Sequence, residues 1–118
     1  MLVLLEKAMP QPVDPGTLDW TELSYAPGVR AKVLHADPAT GDRAALIELD
    51  AGASYPLHDH PGGEHALILE GEIKVGGQIL KAGEYMHTPP GAPHAVLAKT
   101  RCRFFVVTPR GVALIDKG

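Results

Sequence analysis

A chain of 118 residues, 45% hydrophobic and 21% charged, has room for one globular domain and not for two. Its net charge of -3 and isoelectric point near 6.0 give no field for nucleic acid or an anionic membrane, and no segment approaches the ~20 apolar residues of a membrane span. The single cysteine, Cys102, excludes an internal disulfide and a Cys-x-x-Cys zinc site, and it suits a reducing cytoplasm.

Taken in order, the chain starts with Met1-Leu-Val-Leu-Leu5, which is apolar but has no basic region before it and no small-residue cleavage site after it, so it does not read as a signal peptide. A single helical turn is expected at most, over residues 5–9. Pro10 to Gly16 hold three prolines and one glycine, a composition that resists both helix and central strand. Residues 1–16 are therefore expected to form an arm, and 17–118 the domain itself. Trp20 to Tyr25 and Val29 to His35 read as short strands broken by Ala26-Pro27-Gly28. Asp37 to Asp42 reads as a hairpin loop and Arg43 to Asp50 as the next strand.

The stretch from Gly52 to Gly71 is the densest in chemistry. His58 and His60 stand two apart, and alternate side chains of a strand share a face, so both imidazoles can aim at one point. Pro61-Gly62-Gly63 then turns the backbone, and Glu64 opens an apolar run that ends at Glu70-Gly71. Ile73 to Val75 and Gln78 to Leu80 flank Gly76-Gly77, a two-residue hairpin connection. A short strand at Tyr85 leads into the stiff corner Pro89-Pro90-Gly91-Ala92-Pro93, which delivers His94 at the head of the strand Ala95 to Ala98. Cys102 to Thr108 and Val112 to Ile115 complete the set. Short strands with turn signals every ~8 to 12 residues and almost no helical period predict an all-β sandwich or barrel.

Any one of His58, His60, Glu64 and His94 would pass for an ordinary surface residue, but four such groups, each set by its own turn, point jointly to a metal site. Three imidazoles and one carboxylate suit iron, nickel, manganese or zinc better than a soft thiolate site would, and copper also fits. Strand alternation puts Ala66 and Ile68 on the face of Glu64, and Val96 and Ala98 on that of His94, giving an apolar pocket that the small Ala98 enlarges. His65 is expected to face away, and His35 has no assigned role. Tyr85 and His87 share one face and either line the pocket, donate to a ligand or simply pack; Tyr25 and Tyr55 carry the same alternatives. Cys102 reads as a buried apolar residue.

These residues resemble the cupin motifs. Gly52, His58, His60, Glu64 and Gly71 occupy every fixed position of the first, and Gly83, Pro89, Gly91 and His94 match the second, with Ala98 where that motif has Asn. The resemblance implies a single-domain double-stranded β-helix, the jelly-roll barrel, with His58, His60, Glu64 and His94 as metal ligands. The Pro-Gly-Gly-Glu form of the first motif, with Trp20 and Pro27-Gly28, is similar to ChrR-type anti-sigma factor cupin domains and to small cupins that include diketone-cleaving dioxygenases.

One function that follows is a mononuclear metal-dependent dioxygenase, most readily with Fe(II), acting on a small enolic or phenolic substrate held in the barrel. The alternative is a ChrR-like zinc-binding sensor without turnover, which would have to signal through another chain. A sugar isomerase or epimerase fits less well, because no Lys or Arg cluster is in view to hold a phosphorylated substrate. The apolar tip Leu2 to Leu5 and outward-facing Leu67 and Leu69 predict a twofold homodimer.

Overall fold

The computed structural model describes residues 9–115. The alternation that marks the sequence becomes eleven strands in two antiparallel sheets. Strands β1 (Thr21–Glu22), β2 (Val29–Ala36), β3 (Arg43–Leu49), β5 (Glu64–Glu70), β8 (Tyr85–Thr88) and β10 (Cys102–Thr108) build one sheet in the order β1-β2-β3-β10-β5-β8. Strands β4 (Ser54–Asp59), β6 (Glu72–Val75), β7 (Gln78–Lys81), β9 (His94–Ala98) and β11 (Ala113–Leu114) build the other, in the order β11-β4-β9-β6-β7. After the β2-β3 hairpin the chain repeatedly crosses between the two sheets, so neighbours in space are mostly distant in sequence. This is the jelly-roll barrel, in a single domain.

Period-two patterning decides which face each side chain takes. Along β10, Cys102, Phe104, Val106 and Thr108 are buried while Arg103, Phe105 and Val107 are only half-buried on the outside. Along β5, Glu64, Ala66 and Ile68 point in, and His65, Leu67 and Leu69 point out. The inward residues of both sheets, with Val29, Leu49, Ile73, Val75 and Val96, form one continuous core.

Two turns explain how strands change sheets. Gly76 and Gly77 both take positive φ and close the β6-β7 hairpin, as the sequence predicts. Gly71, at φ +80°, carries the chain from β5 to β6 where a Cβ would collide with the Arg101 carbonyl oxygen. Any side chain there forces the Arg101 backbone to shift.

The structure differs from the sequence expectation in three local ways. The strand expected from Trp20 to Tyr25 shrinks to Thr21–Glu22, because the chain turns directly after it, with the Ala26 N–H donating to the Leu23 carbonyl and the Val29 N–H to the Ala26 carbonyl; Trp20 itself lies under Lys32 Nζ and the Arg103 guanidinium, 4.7 and 5.4 Å from its ring centre. Within the stretch that was read as resisting helix, Pro15–Thr17 form one 3-10 turn, with Asp14 accepting from the Gly16 N–H and proline in the first turn, where it is tolerated. The last strand is two residues long. The Leu2 to Leu5 tip, and all but Met9 of the expected turn at 5–9, lie outside the described residues. Among the described residues, no helix is long and apolar enough to cross a membrane.

Candidate metal centre

Four side chains from three strands meet inside the barrel. His58 lies near the end of β4, His60 just beyond it, and Glu64 and His94 are the first residues of β5 and β9. His58 and His94 are register partners across β4 and β9, next to an irregularity in that ladder between Tyr55 and His58. The two turns that carry the site are tied together by Asp59, whose Oδ1 accepts from the His60 N–H at 2.9 Å and from the Gly91 N–H at 3.2 Å. The His60 carbonyl in turn accepts from the Gly63 N–H at 2.8 Å, closing the turn that precedes Glu64.

The imidazoles of His58, His60 and His94 offer ligand atoms all within 4.8 Å of one another. Their rings stand 4.6 to 5.4 Å apart, centre to centre. Glu64 closes the group, with its carboxylate oxygens 3.3 Å from His60 Nε2 and 3.9 Å from His94 Nε2. All four residues are buried.

Burial and geometry leave these groups short of partners. Among the described residues, neither His60 nitrogen has a hydrogen-bond partner, nor does His94 Nε2; the Glu64 contact is close but not aligned for a bond. Buried polar atoms are nearly always satisfied, so three orphaned nitrogens in one cluster ask for a further group. His58 is set differently: its Nδ1–H donates to the Pro56 carbonyl at 2.7 Å, which leaves Nε2 as the lone-pair donor. Desolvation lowers the pKa of all three histidines, with His60 at about 4 because His58 and His94 add to the effect. Burial pushes Glu64 up to about 7. Neutral imidazoles with free lone pairs are the form a metal needs, so the three histidines could hold a divalent ion.

A cavity of about 90 Å³ opens onto this group, walled mainly by apolar residues such as Ala45, Ile47, Ala66, Phe104 and Val106. Tyr25 and Tyr55, left open by the sequence, both line it and share a hydroxyl hydrogen bond of 3.0 Å, with the Tyr55 ring edge-on to His58. Tyr85 and His87 do not line it. They stand on the outer face of β8, where the Tyr85 hydroxyl meets His65 Nδ1 at 2.6 Å. His65 faces outward as expected, and Cys102 is buried outside the cavity with its thiol pushed up to about 11 by desolvation.

One expectation is corrected. Ala98 is buried but does not widen the cavity: it packs in the core opposite Ile73, and its backbone bonds to Gly52 and Ala53. Sequence reasoning missed Arg43 and Thr108, which line the cavity as register partners on β3 and β10, 65 positions apart in the chain. Only the strand pairing brings them together.

Residues 9–110 match the ChrR cupin-like domain family. Among solved structures, the chain is similar to an RmlC-like cupin protein from Ralstonia eutropha, with a TM-score of 0.85, 19% identity, and 97% of this chain and 77% of the other covered. It is similar to an acetylacetone dioxygenase from Acinetobacter johnsonii, with a TM-score of 0.80, 19% identity and coverage of 93% and 79%. It is also similar to a chain of the Rhodobacter sphaeroides SigE complex with the anti-sigma ChrR, with a TM-score of 0.68, 20% identity and coverage of 90% and 72%. Among curated proteins, none matches. At these identities the structural likeness speaks for the fold alone.

Proposed function

The chain belongs to the ChrR cupin-like domain family, and from that premise we propose that it is a metal-binding cupin performing dioxygenase-type chemistry on a small enolic or phenolic compound. The observation that carries this reading is the cluster of orphaned imidazole nitrogens on His60 and His94, beside a mainly apolar cavity that His58, His60 and Glu64 help to line. His58, His60, Glu64 and His94 would hold a divalent metal, iron in the enzyme reading, and such an ion supplies Lewis-acid and redox chemistry at the cavity floor.

The chain's own residues prepare that floor. The Pro56 carbonyl fixes the His58 tautomer so that Nε2 is the donor. Burial raises Glu64 to about 7, so its carboxyl is partly protonated near neutral pH and would give up that proton on binding a cation. The apolar walls exclude water, and the Tyr25-Tyr55 hydroxyl pair offers a polar contact for a substrate oxygen. A cavity of about 90 Å³ sets a tight limit on size, so the reading favours compact diketones over three-ring flavonols.

The family match favours a second reading, a zinc-binding sensor module without turnover. Elemental analysis of protein purified without added metal, followed by oxygen uptake with diketones, catechols and flavonols, separates the two. Iron with uptake of the smaller substrates supports the enzyme. Zinc without uptake supports the sensor.

The reading extends to a homodimer. Leu67, Leu69 and Tyr85 are exposed on the outer face of the larger sheet, and Phe105, the register partner of Leu67, lies half-buried beside them. A second copy covering this face is the simplest way to bury it. Sedimentation of the intact protein beside a version lacking residues 1–9 tests it: a monomer at micromolar concentration removes the dimer, and an undiminished dimer after truncation removes the tip from its explanation.

A further inference from the structure

We propose that the cavity selects a small aliphatic monocarboxylate, with Arg43 and Thr108 holding the carboxylate while the hydrocarbon part lies on the apolar wall. This goes beyond the functional reading in naming a carboxylate as a second class of ligand for the cavity, and it rests on the cavity being the ligand site.

Arg43 and Thr108 are register partners across β3 and β10 and both line the cavity, which brings an exposed guanidinium and a buried hydroxyl to neighbouring positions on its mainly apolar wall. Thr108 is only 1% exposed, and its Oγ1 has no hydrogen-bond partner among the described residues. A buried hydroxyl without a partner, on a residue that lines the cavity, is an unmet hydrogen-bonding group that a ligand oxygen can satisfy. Ion pairs among the described residues engage Arg30, Arg101 and Arg103, and Arg43 is not among them. Burial and then the Tyr25 hydroxyl raise the Tyr55 pKa while Arg43 opposes them, so the Arg43 charge is felt on the cavity side of the strand.

The fork of a guanidinium matches a carboxylate with two parallel N–H···O bonds, and the Thr108 hydroxyl can donate to the same group. Cavity size limits the remainder to a short or branched aliphatic chain.

The test is calorimetric titration of the intact protein with 3-methylbutanoate and with its neutral isostere 4-methyl-2-pentanone, on metal-stripped and on zinc-reloaded protein. The acid is expected to bind at least about tenfold tighter than the ketone in both forms, as a charge-assisted pair implies. Arg43→Gln should erase that preference, Arg43→Lys should keep part of it, and Thr108→Val should weaken acid binding several-fold. Equal binding of acid and ketone, no measurable acid binding, or a preference that survives Arg43→Gln overturns the proposal. A preference seen only with zinc also overturns it, since the carboxylate would then be held by the metal. Failure of the metal reading alone would leave the preference of the stripped protein intact, so the two can fail separately.

Discussion

Two buried glutamates, one on each face of the same sheet, have opposite surroundings. Glu48 sits on the outer side of β3 and accepts five hydrogen bonds from Arg30, Arg101 and Arg103. Burial alone would raise its pKa, but the bonds from Arg103 and Arg30 and the nearby charges outweigh it and hold the carboxyl below its ordinary value. Glu64, on the inner side of β5, has no hydrogen bond to its carboxylate among the described residues, and it faces imidazoles that lack partners themselves. Burial then acts unopposed and takes it to about 7. A saturated carboxylate holds the barrel together; an unsatisfied one, in a cluster of lone pairs, is arranged for something the chain does not supply.

The contrast predicts which residue costs metal and which costs stability. The largest effect falls on metal retention: His60→Ala should weaken it by an order of magnitude or more, measured by competition with a chromophoric chelator. Glu64→Gln should lower it to a smaller degree. Glu48→Ala should leave metal affinity unchanged but cost about 2 kcal/mol in denaturant unfolding, because three guanidiniums lose their shared partner. If Glu48→Ala lost metal and kept its stability, the two roles would have been assigned the wrong way round.

Acidity sharpens the same contrast. Glu64 has a folded pKa above its ordinary 4.5, so its contribution to metal-free stability is complete below 4.5 and is lost as pH rises through about 7. His60, depressed to about 4 from 6.5, contributes above 6.5 and loses that contribution as pH falls through about 4. Glu48, depressed, contributes above 4.5 and loses it below. In metal-free protein, wild type should therefore lose stability relative to Glu64→Gln between about pH 4.5 and 7, and relative to Glu48→Gln it should lose stability only in acid. Chemical unfolding at a series of pH values reads both differences. The smallest effect belongs to His65→Ala on the outer face, expected within about 0.5 kcal/mol of wild type, with metal binding intact.

The inner glutamate was legible in the sequence and the outer one was not, for a physical reason. Glu64 announces itself because its partners stand within six residues on one side, and His94 follows a corner whose prolines and glycine are visible in any reading. Period-two alternation then assigned Ala66, Ile68, Leu67 and Leu69 to their correct faces. Glu48 looks like any charged residue of a strand, because Arg30, Arg101 and Arg103 lie 18, 53 and 55 positions away and reach it only through the pairing of β3 with β2 and β10. The same holds for Arg43 with Thr108, and for Trp20, whose cationic neighbours Lys32 and Arg103 lie on other strands. Ala98 was placed on the inward face, but alternation says nothing of depth along the barrel.

The most direct test of the central claim is thermal unfolding with and without added zinc for wild type, Glu48→Gln and Glu64→Gln. A ligand that binds only the folded state stabilises it by about 2.7 kcal/mol at a hundred times its Kd. Wild type and Glu48→Gln should gain the same increment from zinc, the latter from a lower starting Tm, while Glu64→Gln should gain clearly less. An undiminished gain in Glu64→Gln, or no gain in wild type, would contradict the assignment of this carboxylate to a metal centre.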